Sequence, residues 1–387
     1  MTIGRRELLS ALLAGSAGLG AVTLAPLRPR AEERVVRLAG SPMGDPGDWS
    51  GFTERTGWMV APLSISDASA TIRSLLLTEV HGGGDLDLLH AIGGMTHALV
   101  TNGLIDPIET ERLKNWAGND YIQTFFAPEA PGSDFIRNGR GIYAVPTVLQ
   151  GDSFAYLPEL TGKLDSYGAL FDPEWKGRVA IENNVWTSGL KTALYLRESG
   201  LAAIRDPGNM SPGEIRIVVD YLISLKQAGQ FQSLWTSSEE SVRMLVEKQV
   251  AVIDCGEPTV TAANARGVNA VYAAPVEGYL LWALTASIIH DDDRPEAKTQ
   301  AAYDLIDFLL DGWYGTTIGL ARGFMTNPMA LDHVEDNADD YSPDQRVKIQ
   351  ALDSAGRLKF QKGGVWRNRW PEHRKAYLAE WDRLVAA

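Results

Sequence analysis

Residues 250–260 read VAVIDCGEPTV. An apolar, β-branched run ends at Asp254, passes Cys255, the chain's single cysteine, and reaches a second carboxylate at Glu257. The segment before it, SSEESVRMLVEKQ (237–249), spaces Ser237 and Glu240 as a capping box does, so a helix feeds a short buried strand. The same alternation continues in both directions. Upstream lie a strand GRVAIEN (177–183), a helix SGLKTALYLRESG (188–200) opened by Ser188, and a helix EIRIVVDYLISLKQAG (214–229) with Ile215, Val218, Val219 and Leu222 on one side. Nearer the start come strand VVRLA (35–39), a short helix WSGFTERTG (49–57), strand WMVAPLSI (58–65), a helix DASATIRSLLLTEV beginning at Asp67, and strand LDLLHA (86–91). Downstream, EAKTQAAYDLIDFLLDG (296–312) is helical, and Tyr377, Trp381 and Leu384 share one face of a helix within residues 370–384. A β-α-β series of this kind implies an α/β fold of mostly parallel sheets with helices on both faces.

The chain has 387 residues, 45% of them apolar, enough for two ordinary domains. Paired Arg5 and Arg6 precede a Gly- and Ala-rich apolar run from Leu8 to Leu24, the pattern of a twin-arginine export signal. Three glycines make that run a poor membrane span. Residues 1–31 read as the signal, with the mature start within residues 26–33. Losing its four arginines and one glutamate takes the net charge from −13 to −16, which argues against nucleic acid and anionic membranes as partners. With one cysteine, the fold must stand without an internal disulfide, and no cysteine follows the signal to carry a lipid.

Enzyme and metal chemistry find little support. HGGGD (81–85) resembles an oxyanion loop and GDSFA (151–155) offers Ser153 as a nucleophile. A nucleophile elbow needs a strand, a sharp turn and a helix, whereas Ser153 is followed by strand-like residues cut by Pro158. The six histidines include no i, i+4 pair, and the acidic stretches HDDDRP (290–295) and DNADDYSPD (336–344) lack the glycine and terminal glutamate of a calcium loop. No cofactor or metal site is therefore expected.

What remains are polar and aromatic residues at strand ends. ENNVWTSG (182–189) places Asn184, Trp186 and Ser188 after a strand and at a helix start, and LWTSSEE (234–240) repeats the arrangement around Trp235. EGYLLWALT (277–285) sets Tyr279 and Trp282 on a later strand, where an aromatic face can cover a cation.

The order of IDPIE (105–109), GIYAVPTVLQGDSFAYLPE (141–159), LFDPEWKGRVAIEN (170–183), VAVIDCGEP (250–258), APVEGYLLWALTASI (274–288) and AAYDLIDFLLDG followed by GLARGFMTNPMA (301–312, 319–330) resembles the periplasmic solute-binding proteins of ABC importers, specifically the spermidine/putrescine-binding type. The resemblance covers nearly the whole mature chain. It implies a two-lobed type II periplasmic-binding-protein fold, with residues 32–146 and 280–387 in the first lobe, 147–279 in the second, and the ligand cleft between them. It places Glu257 as an amine-binding carboxylate and Trp282 as a cleft tryptophan. Several positions depart from the family: GSPMGD leaves Ser41 and Met43 in place of an aromatic pair, IGGMTH leaves Met95 where a tyrosine-rich turn belongs, Leu284 replaces an aspartate and Cys255 an aromatic. The expected function is capture of a small polar solute, cationic or zwitterionic and polyamine-like, by a soluble periplasmic monomer that delivers it to an inner-membrane permease. The expected contacts are Glu257, Trp282, Trp186, Ser188, Asn184, Trp235, Asp152, Ser41, Met95 and Tyr279. A secreted hydrolase using Ser153 and a ligand sensor without a transport role are the alternatives.

Overall fold

The computed structural model describes residues 34–65, 86–324 and 326–387, so the expected export signal, the helix from Asp67 and the HGGGD loop lie outside the described residues. Ten strands build the principal sheet framework: β1 (Val35–Gly40), β2 (Met59–Ser64), β3 (Leu88–Ile92), β4 (Val145–Tyr156), β5 (Val179–Glu182), β6 (Phe231–Trp235), β7 (Val252–Cys255), β8 (Val271–Tyr272), β9 (Tyr279–Ile288) and β10 (Gly364–Trp366). The chain forms two compact units. Unit 1 takes the described residues up to Val148 with Ala283–Ile318 and Thr326–Asp340; unit 2 takes Leu149–Trp282, Gly319–Met325 and Tyr341–Ala387. The chain therefore passes from one unit to the other inside β4 and inside β9.

In unit 1, β1 lies between β2 and β3, parallel to both, and β3 runs antiparallel to the later half of β9 with His90 opposite Ala286. Val36, Leu38 and Ala39 of β1 are all buried, as a strand covered on both faces requires.

In unit 2, β5 is central, with β6 and β7 parallel to it, while β4 is antiparallel to β7 with Ser153 opposite Cys255. Alternate residues feed two cores. Phe154, Tyr156, Val179, Ile181 and Val252 face one, and Ala155, Leu157, Ala180, Ile253 and Cys255 face the other. Helices α1 (Leu190–Glu198) and α2 (Pro212–Gln227) cover the first core; α3 (Ser238–Val246) and α4 (Glu257–Asn264) cover the second. Ser211 and Glu214 close a full capping box on α2, while at α3 Ser237 accepts from the Glu240 amide and Glu240 itself turns to Ser233 and Thr236.

The partition differs from the expected one at the C-terminus. Helix α5 (Arg374–Ala386) puts Tyr377, Trp381 and Leu384 into the first core of unit 2, and Lys226 of α2 donates to the Leu384 carbonyl at 2.9 Å. Residues 341–387 therefore belong with the middle of the chain. The helical path also opens before Ser188: Asn184 Oδ1 accepts from the Trp186 amide at 2.9 Å and caps a π-helical turn, Val185–Gly189, that runs into α1.

Strand β10 completes unit 2 by lying parallel on the first half of β9, with Gly364 opposite Tyr279 and Trp366 opposite Leu281. The approach at Gly364 leaves no room for a side chain. A Cβ there would lie 1.8 Å from the Tyr279 carbonyl oxygen at φ +153°, whereas Gly363, at φ +78°, has open space around its missing Cβ. We expect Gly364→Ala to cost on the order of 3 kcal/mol in urea unfolding and Gly363→Ala only about 1 kcal/mol, the price of a left-handed backbone alone; equal effects would mean that β10 does not dock on β9.

Candidate functional site

Because β5 and β7 are parallel and β4 runs against them, the carboxyl ends of β5 and β7 and the start of β4 share one edge of unit 2. Open α/β sheets bind their ligands at that edge. Here it gathers Gln150 and Asp152 from β4, Glu182 from β5, Asp254 from β7 and Glu257, the first residue of α4.

Beneath the edge lies a buried ion pair. Lys191 of α1 bonds the Asp254 carboxylate and donates to the Ser153 carbonyl at 2.8 Å; both side chains are essentially inaccessible. Burial opposes a charged lysine, but Asp254 and then Asp152 outweigh it and hold Lys191 above its ordinary pKa. Ser188 donates to the same Asp254 carboxylate, and Trp235 donates from Nε1 to the Asp254 carbonyl at 2.9 Å.

A second ion pair sits nearer the surface. Glu257 Oε2 accepts from Lys359 Nζ and from Gln150 Nε2, each at 2.7 Å, and Lys359 also donates to Gln150 Oε1 at 2.8 Å. Glu257 Oε1 has no donor among the described residues. The Lys359 ammonium stands 5.1 Å from the centre of the Tyr272 ring.

The third group is less settled. Trp282 Nε1 is buried and makes no well-formed hydrogen bond, yet the indole N–H stands near enough to Asp152 to favour that carboxylate's ionised form. Burial dominates all the same, and it raises the Asp152 pKa against the combined pull of Lys191, Arg367, Trp282 and Lys359. Burial likewise raises Glu182. Arg367, the residue after β10, brings its guanidinium 4.0 Å from Asp152 Oδ2.

The residues expected from sequence thus divide. Asp152, Glu257 and Trp282 lie on this edge, and Tyr279 lies beside Gly151 and Lys359, its hydroxyl pKa raised by burial and then by Glu257. Ser188 and Trp235 are committed to Asp254, and Asn184 to its cap. Trp186 stacks on Tyr377 at 5.1 Å with the Arg374 guanidinium 4.5 Å from its ring, so it packs against α5. Ser41 and Met95 belong to unit 1. There Ser41 donates from its amide to the His90 carbonyl at 2.8 Å and lines, with Trp49 among others, a cavity of about 20 Å³, room for one water-sized group; Met95 is buried. Ser153 sits in the interior of β4, wholly inaccessible, with strand on either side, so the nucleophile elbow of the hydrolase alternative does not exist.

Sequence reasoning missed Lys191, Lys359, Gln150 and Arg367. Lys191 carried a signal, a lysine inside the apolar run of SGLKTALYL. Gln150 sits on β4 itself, whereas Lys359 and Arg367 reach the edge only because the helix Pro343–Lys362 and β10 fold back on it, Lys359 lying 102 residues after Glu257.

The model of the bacterial extracellular solute-binding protein family matches residues 50–317. No curated protein matches. Among solved structures, the spermidine/putrescine ABC transporter substrate-binding protein PotD of Streptococcus pneumoniae superposes with a TM-score of 0.65 at 14% identity, covering 91% of this chain and 97% of that one. The TpPotD lipoprotein of Treponema pallidum gives 0.66 at 11% identity over 90% and 99% of the two chains. The PBP MotA of A. tumefaciens B6, solved with glucopine, gives 0.62 at 14% identity over 91% and 99%. The expected α/β fold, that of the type II periplasmic binding proteins, is the fold of this chain.

Two variants test this edge. Lys191→Met strands a buried carboxylate and is expected to cost about 3–5 kcal/mol in urea unfolding, with Asp254→Asn in the same chain restoring part of it; a neutral Lys191→Met would show the pair to be unformed. Asp152 is the opposite case. A carboxyl raised above its unfolded value of 3.8 contributes stability below that pH and loses it as pH rises through the folded pKa. Asp152→Asn should therefore melt higher than the wild type at pH 7, by about 2 °C, and show no such gain near pH 3; a lower melting temperature at pH 7 would contradict this.

Proposed function

Because the chain belongs to the bacterial extracellular solute-binding proteins, which bind substrates and are not enzymes, we propose that it is the periplasmic substrate-binding component of an ABC importer and that the carboxyl edge of unit 2 holds a small polar solute. The observation that carries this reading is the Trp282 indole N–H, buried beside Asp152 but making no well-formed hydrogen bond. Folded proteins leave few such groups unsatisfied, and a ligand acceptor would satisfy this one. Asp152 and the free Oε1 of Glu257 supply negative charge for an amine, and Trp282 and Tyr279 supply aromatic surface.

The neighbouring structures support the choice of solute class: one is titled as spermidine/putrescine-binding and another is bound to glucopine. The twin-arginine pattern at Arg5 and Arg6 supports export, and no helix among the described residues is long and apolar enough to cross a membrane. The permease would be the partner and the receptor would act as a monomer.

Glu257 has two roles in this scheme, since it also neutralises Lys359. We expect calorimetric titration of the purified protein with small amines, amino acids and sugars to reveal one solute bound at one site, and Glu257→Gln to weaken an amine-bearing solute at least 10-fold while lowering stability by about 1 kcal/mol. A protein that binds none of these solutes would sink the reading, and full affinity in Glu257→Gln would reduce Glu257 to a structural partner of Lys359.

A further inference from the structure

Seven ionisable side chains come together at the carboxyl edge of unit 2, and two pairs of them are closed. Lys191 is spent on Asp254 and Lys359 on Glu257. Asp152, Glu182 and Arg367 remain.

Arg367 differs from the arginines around it. Arg369 is bonded to Asp206 at 2.5 Å, Arg216 to Glu380 at 3.2 Å and Arg383 to Asp220 at 2.8 Å. The Arg367 guanidinium makes no hydrogen bond among the described residues; the carboxylate oxygen within ion-pair reach, Asp152 Oδ2, is 4.0 Å away, beyond hydrogen-bonding distance, and Glu182 feels its charge from further off. The side chain is 23% accessible, and its backbone is fixed, with the amide donating to the Leu281 carbonyl at 2.8 Å. A guanidinium offers five donors in a planar fork, and the acceptor that fits the fork is a carboxylate. Asp152 is the nearest protein carboxylate, but it stands too far off to fill it. Trp282 Nε1 is a further unspent donor beside the same aspartate, on a residue only 3% accessible.

We propose, resting on the solute-binding reading above, that Arg367 and the Trp282 N–H bind the carboxylate of the solute, that Asp152, with the free Oε1 of Glu257, binds its amine, and that the substrate class is therefore an amine-bearing carboxylate. Charge separates this class from its rivals. A diamine leaves the guanidinium fork empty and adds a cation beside it. A dicarboxylate faces the unpaired acids Asp152 and Glu182. Only a molecule with one group of each sign meets both Arg367 and Asp152 with the opposite charge, and a group buried against an unpaired partner is costly.

The test is calorimetric titration of the purified protein with 4-aminobutyrate and the twenty protein amino acids, with putrescine, cadaverine and spermidine, with succinate and with a panel of sugars. The tightest binder is expected among the amine-bearing carboxylates. Arg367→Gln should weaken it about 100-fold and lower the melting temperature of the unliganded protein only slightly, since the side chain makes no hydrogen bond and its one ion pair is 4.0 Å long and partly exposed. Replacing the ligand carboxylate by its amide should cost a similar factor in the wild type and add nothing further in Arg367→Gln. If a diamine, a dicarboxylate or a sugar binds tightest, or if Arg367→Gln keeps full affinity, the carboxylate inference falls while solute binding stands. Only the absence of binding across the whole panel would remove both.

Discussion

A lysine ammonium buried in the middle of unit 2 has to be neutralised where it stands, and that constraint organises the site. Lys191 enters from the first turn of α1, bonds Asp254 at the end of β7 and donates to the Ser153 carbonyl of β4. Three chain segments are thereby fixed to one another by a charge that has no other outlet. Ser188 and Trp235 add bonds to the same aspartate, so neither the helix start nor the end of β6 can move without breaking a buried hydrogen bond. The edge above inherits this rigidity. Asp152 stands three residues from the start of unit 2's share of β4 and next to the strand residue whose carbonyl Lys191 holds.

The local elements were legible because periodicity reports burial. Strand β5 and helix α2 lie where the apolar pattern put them, and the capping box of α2 comes from residues three apart. The C-terminal helix shows the limit of that signal. Its apolar face says that Tyr377, Trp381 and Leu384 are buried, but nothing in their spacing says against what, and the partner turns out to be α2. The site fails to be legible for the same reason. Glu257 reads from the sequence as a free carboxylate, and its neutralising partner Lys359 lies 102 residues further on. Arg367 reaches Asp152 only because the chain at Gly363 and Gly364 can take backbone angles and a strand contact that a side chain would forbid.

The motifs that carry the family resemblance do structural work in this chain. In APVEGYLLW, Glu277 accepts from the Ser166 hydroxyl at 2.5 Å, and Gly278, at φ +102°, lets the chain pass the Gly363 carbonyl. In DPEWKGRVAI, Asp172 caps the turn at Pro173–Trp175, and Gly177, at φ +73°, hands the chain to β5 while donating to the Gln230 carbonyl at 2.9 Å. Such residues specify how β5 and β9 are delivered to the sheet. They are silent about what the edge of that sheet recognises, so the chain can keep the motifs with Cys255 and Leu284, both buried, at positions where the resemblance implies an aromatic and an aspartate.

Net charge is an equally poor guide to the ligand. The chain as a whole is strongly acidic, at −13, and that excess is spread over a surface bathed in salt. At the edge of unit 2 the acids meet their own cations at contact distance and in low dielectric, where a single pairing outweighs any number of remote surface carboxylates. Two of the four acids there are neutralised by lysines. Recognition is therefore left to the groups without a hydrogen-bonded partner of opposite charge: an indole N–H, a guanidinium and the Asp152 carboxylate, whose pKa burial raises. Such a set discriminates by omission, because a solute lacking either sign of charge leaves one of the three desolvated and unpaired.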